Sequence, residues 1–260
     1  MNRRGRERRG RPAPAPVERR TDHALAEVIA DPRRPSARTL LLDGREAGQV
    51  DLADPRRLTF AYMRRIADLI DVFRAAGGAI DVVHIGGGAC ALPRYVEATR
   101  PRSRQLVFEL DPGVVALARE HLGLRATPRL RVKVGDAADL IRARPERSAD
   151  LVIGDAFDGP DVPAQLSGAA FLAEVRRVLR PSGVYVLNVI DIPPLDAVHA
   201  HDAVARAAFA HVAWVAPPGV LRARAPGNVV LLASDVALPV VALRRAAAAA
   251  VPREQVLERR

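Results

Sequence analysis

Ile80-Asp-Val-Val-His-Ile-Gly-Gly-Gly-Ala89 is a largely apolar, β-branched run that passes straight into three glycines, Gly86, Gly87 and Gly88. A second apolar run, Val107-Phe-Glu-Leu-Asp-Pro112, places the carboxylate of Glu109 21 residues beyond Gly88. In an open parallel sheet, ligands sit at the carboxyl ends of the strands, where the strand order reverses. Glycines there let the backbone approach a ligand, and an acid ending the next strand accepts hydrogen bonds from two ribose hydroxyls. The pair points to a nucleoside-bearing ligand, although a glycine run also serves tight strand-to-helix turns for purely steric reasons.

Outward from residue 80 the pattern alternates. Strands are predicted at 80–85, 105–110, 130–134, 150–155, 183–189, 211–215 and 228–233, and helices near 90–99, 113–121, 136–143, 168–179 and 196–209. Near-continuous apolar strands such as Leu151-Val-Ile153 and Val184-Tyr-Val-Leu187 belong in a parallel sheet covered on both faces. The alternation argues for a doubly wound α/β domain of seven strands, the last an antiparallel return strand at one edge. Upstream, Asp22–Ala30 is predicted as one short helix stopped by Asp31-Pro32. Arg38–Asp43 and Gly48–Leu52 read as a β-hairpin about a Gly44-Arg-Glu-Ala turn. Apolar residues at 62, 63, 66, 69, 70 and 73 have helical spacing.

The chain of 260 residues carries a net charge of +10, but residues 1–20 hold eight arginines and two glutamates. The basic character therefore sits mostly in an Arg/Pro/Ala-rich tail, expected to be disordered. No aromatics interleave those arginines as a nucleic-acid stacking platform requires, so no specific nucleic-acid partner is expected. No apolar run approaches the ~20 residues needed to span a bilayer. The Arg-rich start is not followed by the apolar stretch of a secretory leader, so a cytoplasmic location without membrane attachment is expected. The single cysteine, Cys90, excludes an internal disulfide and a multi-cysteine metal site, and reads as a packing residue. His199 and His201, two apart in a predicted helix, do not share a face, so no metal is expected there. His84, inside a strand, reads as a core histidine or one lining the ligand cleft.

Four candidate groups stand after four successive strands: Gly86 to Gly88, Glu109, Asp136 in Gly135-Asp136-Ala137, and Asp155, which opens Asp155-Ala-Phe-Asp158-Gly-Pro-Asp161. A carboxylate only accepts hydrogen bonds, so Asp136 suits an exocyclic adenine amine. Each has an ordinary alternative, since Glu109 or Asp111 can cap the helix at Pro112 and Asp136 the helix after it.

His84-Ile-Gly-Gly-Gly88, Val107-Phe-Glu-Leu-Asp-Pro112, Val134-Gly-Asp-Ala137, Asp150-Leu-Val-Ile-Gly-Asp155 and Leu179-Arg-Pro-Ser-Gly183 resemble the class I S-adenosylmethionine-dependent methyltransferase fold. With Leu42-Asp43-Gly44 in the hairpin, they more narrowly resemble the spermidine synthase (aminopropyltransferase) family, over roughly residues 38–235. The resemblance implies a Rossmann-like α/β sheet with a small N-terminal β-hairpin appendage. It also implies a donor, S-adenosylmethionine or its decarboxylated form, and a small-molecule amine acceptor. By the same resemblance Asp155 is the catalytic base, Asp158 the amine-binding partner, Glu109 the ribose ligand and Asp136 the adenine ligand, while Gly86 to Gly88 admit the thioether and its tail.

The chain departs from the family in three places. The Tyr-His pair of the family is reduced to Tyr62, which takes part of that substrate-binding role. Ala47 stands where a glutamine is usual, with Gln49 nearby, and Asp-Ala-Phe-Asp replaces Asp-Ser-Ser-Asp. The expected organisation is a basic tail at 1–20, a hairpin-and-helix region at 21–78, a methyltransferase-like domain binding S-adenosylmethionine at 79–237 and a C-terminal helix or tail at 238–260. A homodimer is one arrangement the resemblance allows. A small-molecule methyltransferase and a non-catalytic adenosyl-ligand-binding protein remain alternatives; a dinucleotide dehydrogenase is more distant, because Gly86-Gly-Gly-Ala-Cys-Ala91 lacks the Gly-x-Gly-x-x-Gly spacing.

Overall fold

The computed structural model describes residues 15–259. Its amino-terminal part is a four-stranded antiparallel meander of β1 (Val17–Arg20), β2 (Leu25–Asp31), β3 (Arg34–Leu42) and β4 (Arg45–Asp51). The expected hairpin is β3–β4. The expected helix over 22–30 is instead strand β2, and Val17–Arg20 of the expected tail is strand β1, while residues 1–14 lie outside the described ones. In β2, Ala26 and Val28 are buried while Leu25 and Glu27 are less so. That period of two, with β-branched Val28 and Ile29, outweighs the helix propensity of Ala and Glu once β1 and β3 flank it.

Helix α1 (Ala61–Val72) leads into the main sheet: β5 (Asp81–Ile85), α2 (Ala91–Thr99), β6 (Arg104–Glu109), α3 (Pro112–His121), β7 (Leu130–Val134), α4 (Ala137–Arg142), β8 (Ala149–Gly154), α5 (Ala169–Val178), β9 (Leu179–Asp191), α6 (Asp196–Ala208), β10 (His211–Ala216), α7 (Pro218–Leu221), β11 (Gly227–Ser234), α8 (Val240–Ala249) and β12 (Gln255–Arg259). The spatial order is β12-β10-β11-β9-β8-β5-β6-β7. Strands β9, β8, β5, β6 and β7 are parallel, and β11, β10 and β12 are antiparallel to their neighbours. The sheet thus has eight strands rather than seven. The additional one lies in the segment expected as a C-terminal helix or tail, where β12 follows α8 and completes the edge beside β10.

Two apolar clusters sandwich this sheet. One joins α1, α2, α3, α8 and the meander, with Ile66, Leu69, Val96 and Leu117 at its centre. The other joins α4, α5 and α6 on the opposite face, with Ile141, Val175 and Val198 fully enclosed. The chain leaves β5 for β6 and β7, then returns to β8 on the other side of β5. That reversal opens a crevice at the carboxyl ends of β5 and β8, the place where open α/β sheets take ligands.

Candidate active site

The crevice is built from the loop after β5 and the loop after β8. Gly86 has φ +89°, and a Cβ there would collide with the backbone carbonyl of Asp155, so the two loops touch through bare backbone. The Asp155 amide donates to the Ile85 carbonyl at 2.8 Å and the Gly86 amide to the Phe108 carbonyl at 2.9 Å. Gly88 (φ +46°) faces the Ala47 carbonyl of the β3–β4 hairpin, and Gly48 faces Ala89, so the meander lies against the glycine turn. A small cavity of about 30 Å³ remains there, bordered by Ala47, Met63, His84, the three glycines, Cys90 and Asp155.

Asp155 is braced on both of its carboxylate oxygens. Its Oδ2 accepts from the Tyr62 hydroxyl at 3.0 Å and its Oδ1 from the Asn188 amide at 2.9 Å. Asn188 in turn accepts at Oδ1 from the Asn228 amide at 2.9 Å. Burial pushes the Asp155 carboxyl up to about 6, while the two donors pull the other way by stabilising its charged form. Burial, helped by the same carboxylate, raises the Tyr62 hydroxyl, which therefore remains a donor. Tyr62 sits in the first turn of α1 and stacks on Phe60, with ring centroids 6.1 Å apart.

Glu109 meets the glycine turn directly. Its Oε2 accepts from the Gly87 and Gly88 amides at 2.8 and 3.0 Å, and its Oε1 from the Asp111 amide at 3.0 Å. Of the two acids considered as caps for α3, Asp111 is the one that caps it, accepting from Gly113 and Val114. Such a cap contributes about 1 kcal/mol. Asp136 caps α4 by accepting from the Ala138 amide at 2.7 Å, and its other oxygen accepts from Gln165 at 3.2 Å. The ordinary role foreseen for Asp136 is therefore filled, with lone pairs left over.

Gly86, Gly87, Gly88, Glu109, Tyr62 and Asp155 come together around the crevice, and Asp136 stands at the neighbouring strand end on the same edge. Asp158 stands apart: it is exposed, and its backbone pairs with that of Asp161 within the loop. Gln49 is spent within the meander, donating to Thr39 at 2.9 Å. Cys90 is buried, its thiol pushed up to about 12 by burial and the charge of Glu109. His84 fills both roles foreseen for it. It borders the cavity and bonds Gln105 at 3.0 Å, and burial lowers its imidazole to about 4. Sequence reading missed Asn188 and Asn228. A polar residue within the apolar run Val184–Val189 was the available signal for Asn188; Asn228 had none.

Residues 59–212 match the spermine/spermidine synthase domain family. The polyamine aminopropyltransferase of Vibrio vulnificus is 29% identical over 157 residues, covering 58% of this chain and 51% of that protein. The eEF1A lysine and N-terminal methyltransferase of Bos taurus is 31% identical over 126 residues, covering 43% of this chain and 17% of that one. The chain thus spans about half the length, or less, of these curated relatives. Among solved structures, a probable spermidine synthase from Corynebacterium glutamicum superposes with a TM-score of 0.87 at 28% identity, covering 94% of this chain and 91% of that one. The methyltransferase-like sheet, the glycine turn with its acid partner and the match over more than half the sequence place this chain in the spermine/spermidine synthase family.

Proposed function

We propose that this protein is an aminopropyltransferase that takes decarboxylated S-adenosylmethionine as donor and a small-molecule amine as acceptor. The observation that carries the reading is Asp155: a half-buried carboxylate at the strand switch, held by two donors and pushed up to about 6, beside a glycine turn. A general base works best with a pKa near the operating pH.

In the reaction, the acceptor nitrogen attacks the propyl carbon attached to the sulfonium. The C–N bond forms as the C–S bond breaks, and the electron pair of that bond neutralises sulfur to a thioether. An alkylammonium must first shed a proton, and Asp155 takes it. Glu109 would take a ribose hydroxyl on the Oε1 lone pair that the Gly87, Gly88 and Asp111 amides leave free, and Asp136 the adenine amine. Gly86 to Gly88 would admit the sulfur and its substituents. Tyr62 would keep the Asp155 carboxylate facing the acceptor, and Asp158, exposed on the loop after β8, would meet a distal ammonium at the mouth.

S-Adenosylmethionine itself is the competing donor, since it carries the same nucleoside and sulfonium and would make the reaction a methyl transfer. A cytoplasmic enzyme without a nucleic-acid or membrane partner fits the reading, and no helix among the described residues is long and apolar enough to cross a membrane.

The test incubates each donor with a panel of mono-, di- and polyamines and follows methylthioadenosine against S-adenosylhomocysteine. Methylthioadenosine with an aminopropylated amine is expected, and Asp155→Asn should cut turnover by ~10²-fold or more while the donor still binds. Methylated product and S-adenosylhomocysteine alone would replace this reading with a methyltransferase.

A further inference from the structure

The brace on Asp155 reaches further than its direct contacts. Asn188 lies in the middle of β9, 1% exposed, between apolar neighbours. A buried primary amide can be seated two ways round, presenting either its NH₂ or its carbonyl to Asp155. Only the first seating stabilises a carboxylate; the second sets oxygen against oxygen. The choice is made one strand away. In the antiparallel β9–β11 ladder Asn188 is opposite Val230 and Asn228 is opposite Ile190, so the two asparagines are diagonal neighbours on one face of the sheet. The Asn228 amide donates to Asn188 Oδ1 at 2.9 Å, which leaves the Asn188 NH₂ to donate to Asp155 Oδ1 at 2.9 Å.

We propose that Asn228 is a positioning residue for Asp155, acting through Asn188 by fixing which end of that buried amide faces the carboxylate. The antiparallel half of the sheet thereby helps to set the ionisation of an acid held on the parallel half. Other groups stand close to Asp155 as well. Tyr62 reaches it from α1, and His84 from β5 and Cys90 before α2 border the same cavity. Glu109 is engaged with the glycine amides, Asp158 is exposed on the following loop, and Asp191 at the end of β9 accepts from the Ile192 and Val198 amides. Burial keeps His84 neutral above about 4 and Cys90 a thiol up to about 12, so neither titrates in the range where Asp155 does. The catalytic consequence rests on Asp155 being the base proposed above; the positioning does not.

The experiment is carbon-13 NMR titration of the aspartate side-chain carboxyls in the full, ligand-free chain, with Asp155→Asn identifying the resonance. Because it needs no substrate, it succeeds or fails independently of the proposed activity. Asn228→Val should raise the Asp155 midpoint by about one unit, a tenfold change in proton affinity, because the released Asn188 amide can then turn its carbonyl to accept from a protonated Asp155, and the bias lost is that of one neutral hydrogen bond. Asn228→Ser, which keeps a donor, should stay near wild type. In an Asn188→Ala background Asn228→Val should add nothing, because the intermediary is gone. In unsubstituted protein the Asn188 side-chain amide signals should move with the Asp155 midpoint, a readout that needs no variant to fold. An unchanged midpoint in Asn228→Val, a full further shift in the Asn188→Ala background, or Asn188 amide signals that ignore the titration would each overturn the proposal.

Discussion

Asp155 carries a stability cost that can be measured without any substrate. An aspartate in an unfolded chain titrates near 3.9, whereas burial in the crevice pushes this one up to about 6. Between those values the folded protein binds a proton that the unfolded chain does not. Stability therefore falls as pH rises through about 4 to 6, the opposite of an acid in an ion pair. At about 1.4 kcal/mol per unit the full penalty above that window is ~3 kcal/mol. Partial solvent access at the mouth reduces it to about 2 kcal/mol. Asp155→Asn keeps the shape and can still accept from Asn188, while removing the ionisation. At neutral pH the variant should be more stable than wild type by ~2 kcal/mol, which raises the melting temperature by roughly 4–8 °C for a chain of this size. Below the window wild type is protonated in both states and the advantage should vanish. Calorimetric melting of both proteins across that range is the assay. A variant no more stable at neutral pH, or a gain that persists undiminished in acid, would refute the reasoning.

Glu109→Ala should weaken binding of methylthioadenosine by about 1.5 kcal/mol, for the one charge-assisted hydrogen bond to a ribose hydroxyl that the three backbone amides leave room for; unchanged affinity by titration calorimetry would leave Glu109 solely as the brace of Gly87 and Gly88. Deleting residues 1–20 should lower the melting temperature more than deleting residues 1–14, because only the longer deletion removes β1 with its ladder to β2 and the Arg19–Glu120 ion pair; equal melting curves for the two deletions would make β1 dispensable.

What the sequence made legible follows from how locally each feature is encoded. Strands β5, β6, β8 and β9 are buried on both faces, so their apolar runs stand out, and the glycines after β5 mark the turn outright. Strand β2 was misread because Leu25-Ala-Glu-Val-Ile-Ala30 carries helix formers, and its alternation becomes decisive only with partners on both sides. Strand β12 was missed because Gln255-Val-Leu-Glu-Arg259 is short and half polar; pairing with β10 defines it. Glu109 and Asp155 stand out because strand ends are marked positions, and both lie at the crevice. Asn188 and Asn228 are 40 residues apart and meet only through strand register, which no local pattern encodes. Asp158 was chosen by its place in the loop, and its exposure could not be read from the four residues around it.

The seam between the β3–β4 hairpin and the glycine turn limits how the crevice can be reshaped. Gly48 meets Ala89 so closely that a methyl group at 48 would lie 2.7 Å from the Ala89 Cβ, and Gly88 is as tightly seated against Ala47. Neither glycine can be enlarged without prising the meander from the sheet, and there is no long side chain to trim. The adjustable wall is Met63, a flexible side chain in the first turns of α1 that borders the same cavity. A library meant to widen this cavity therefore gains space by shortening position 63 and spends its diversity badly at 48 and 88.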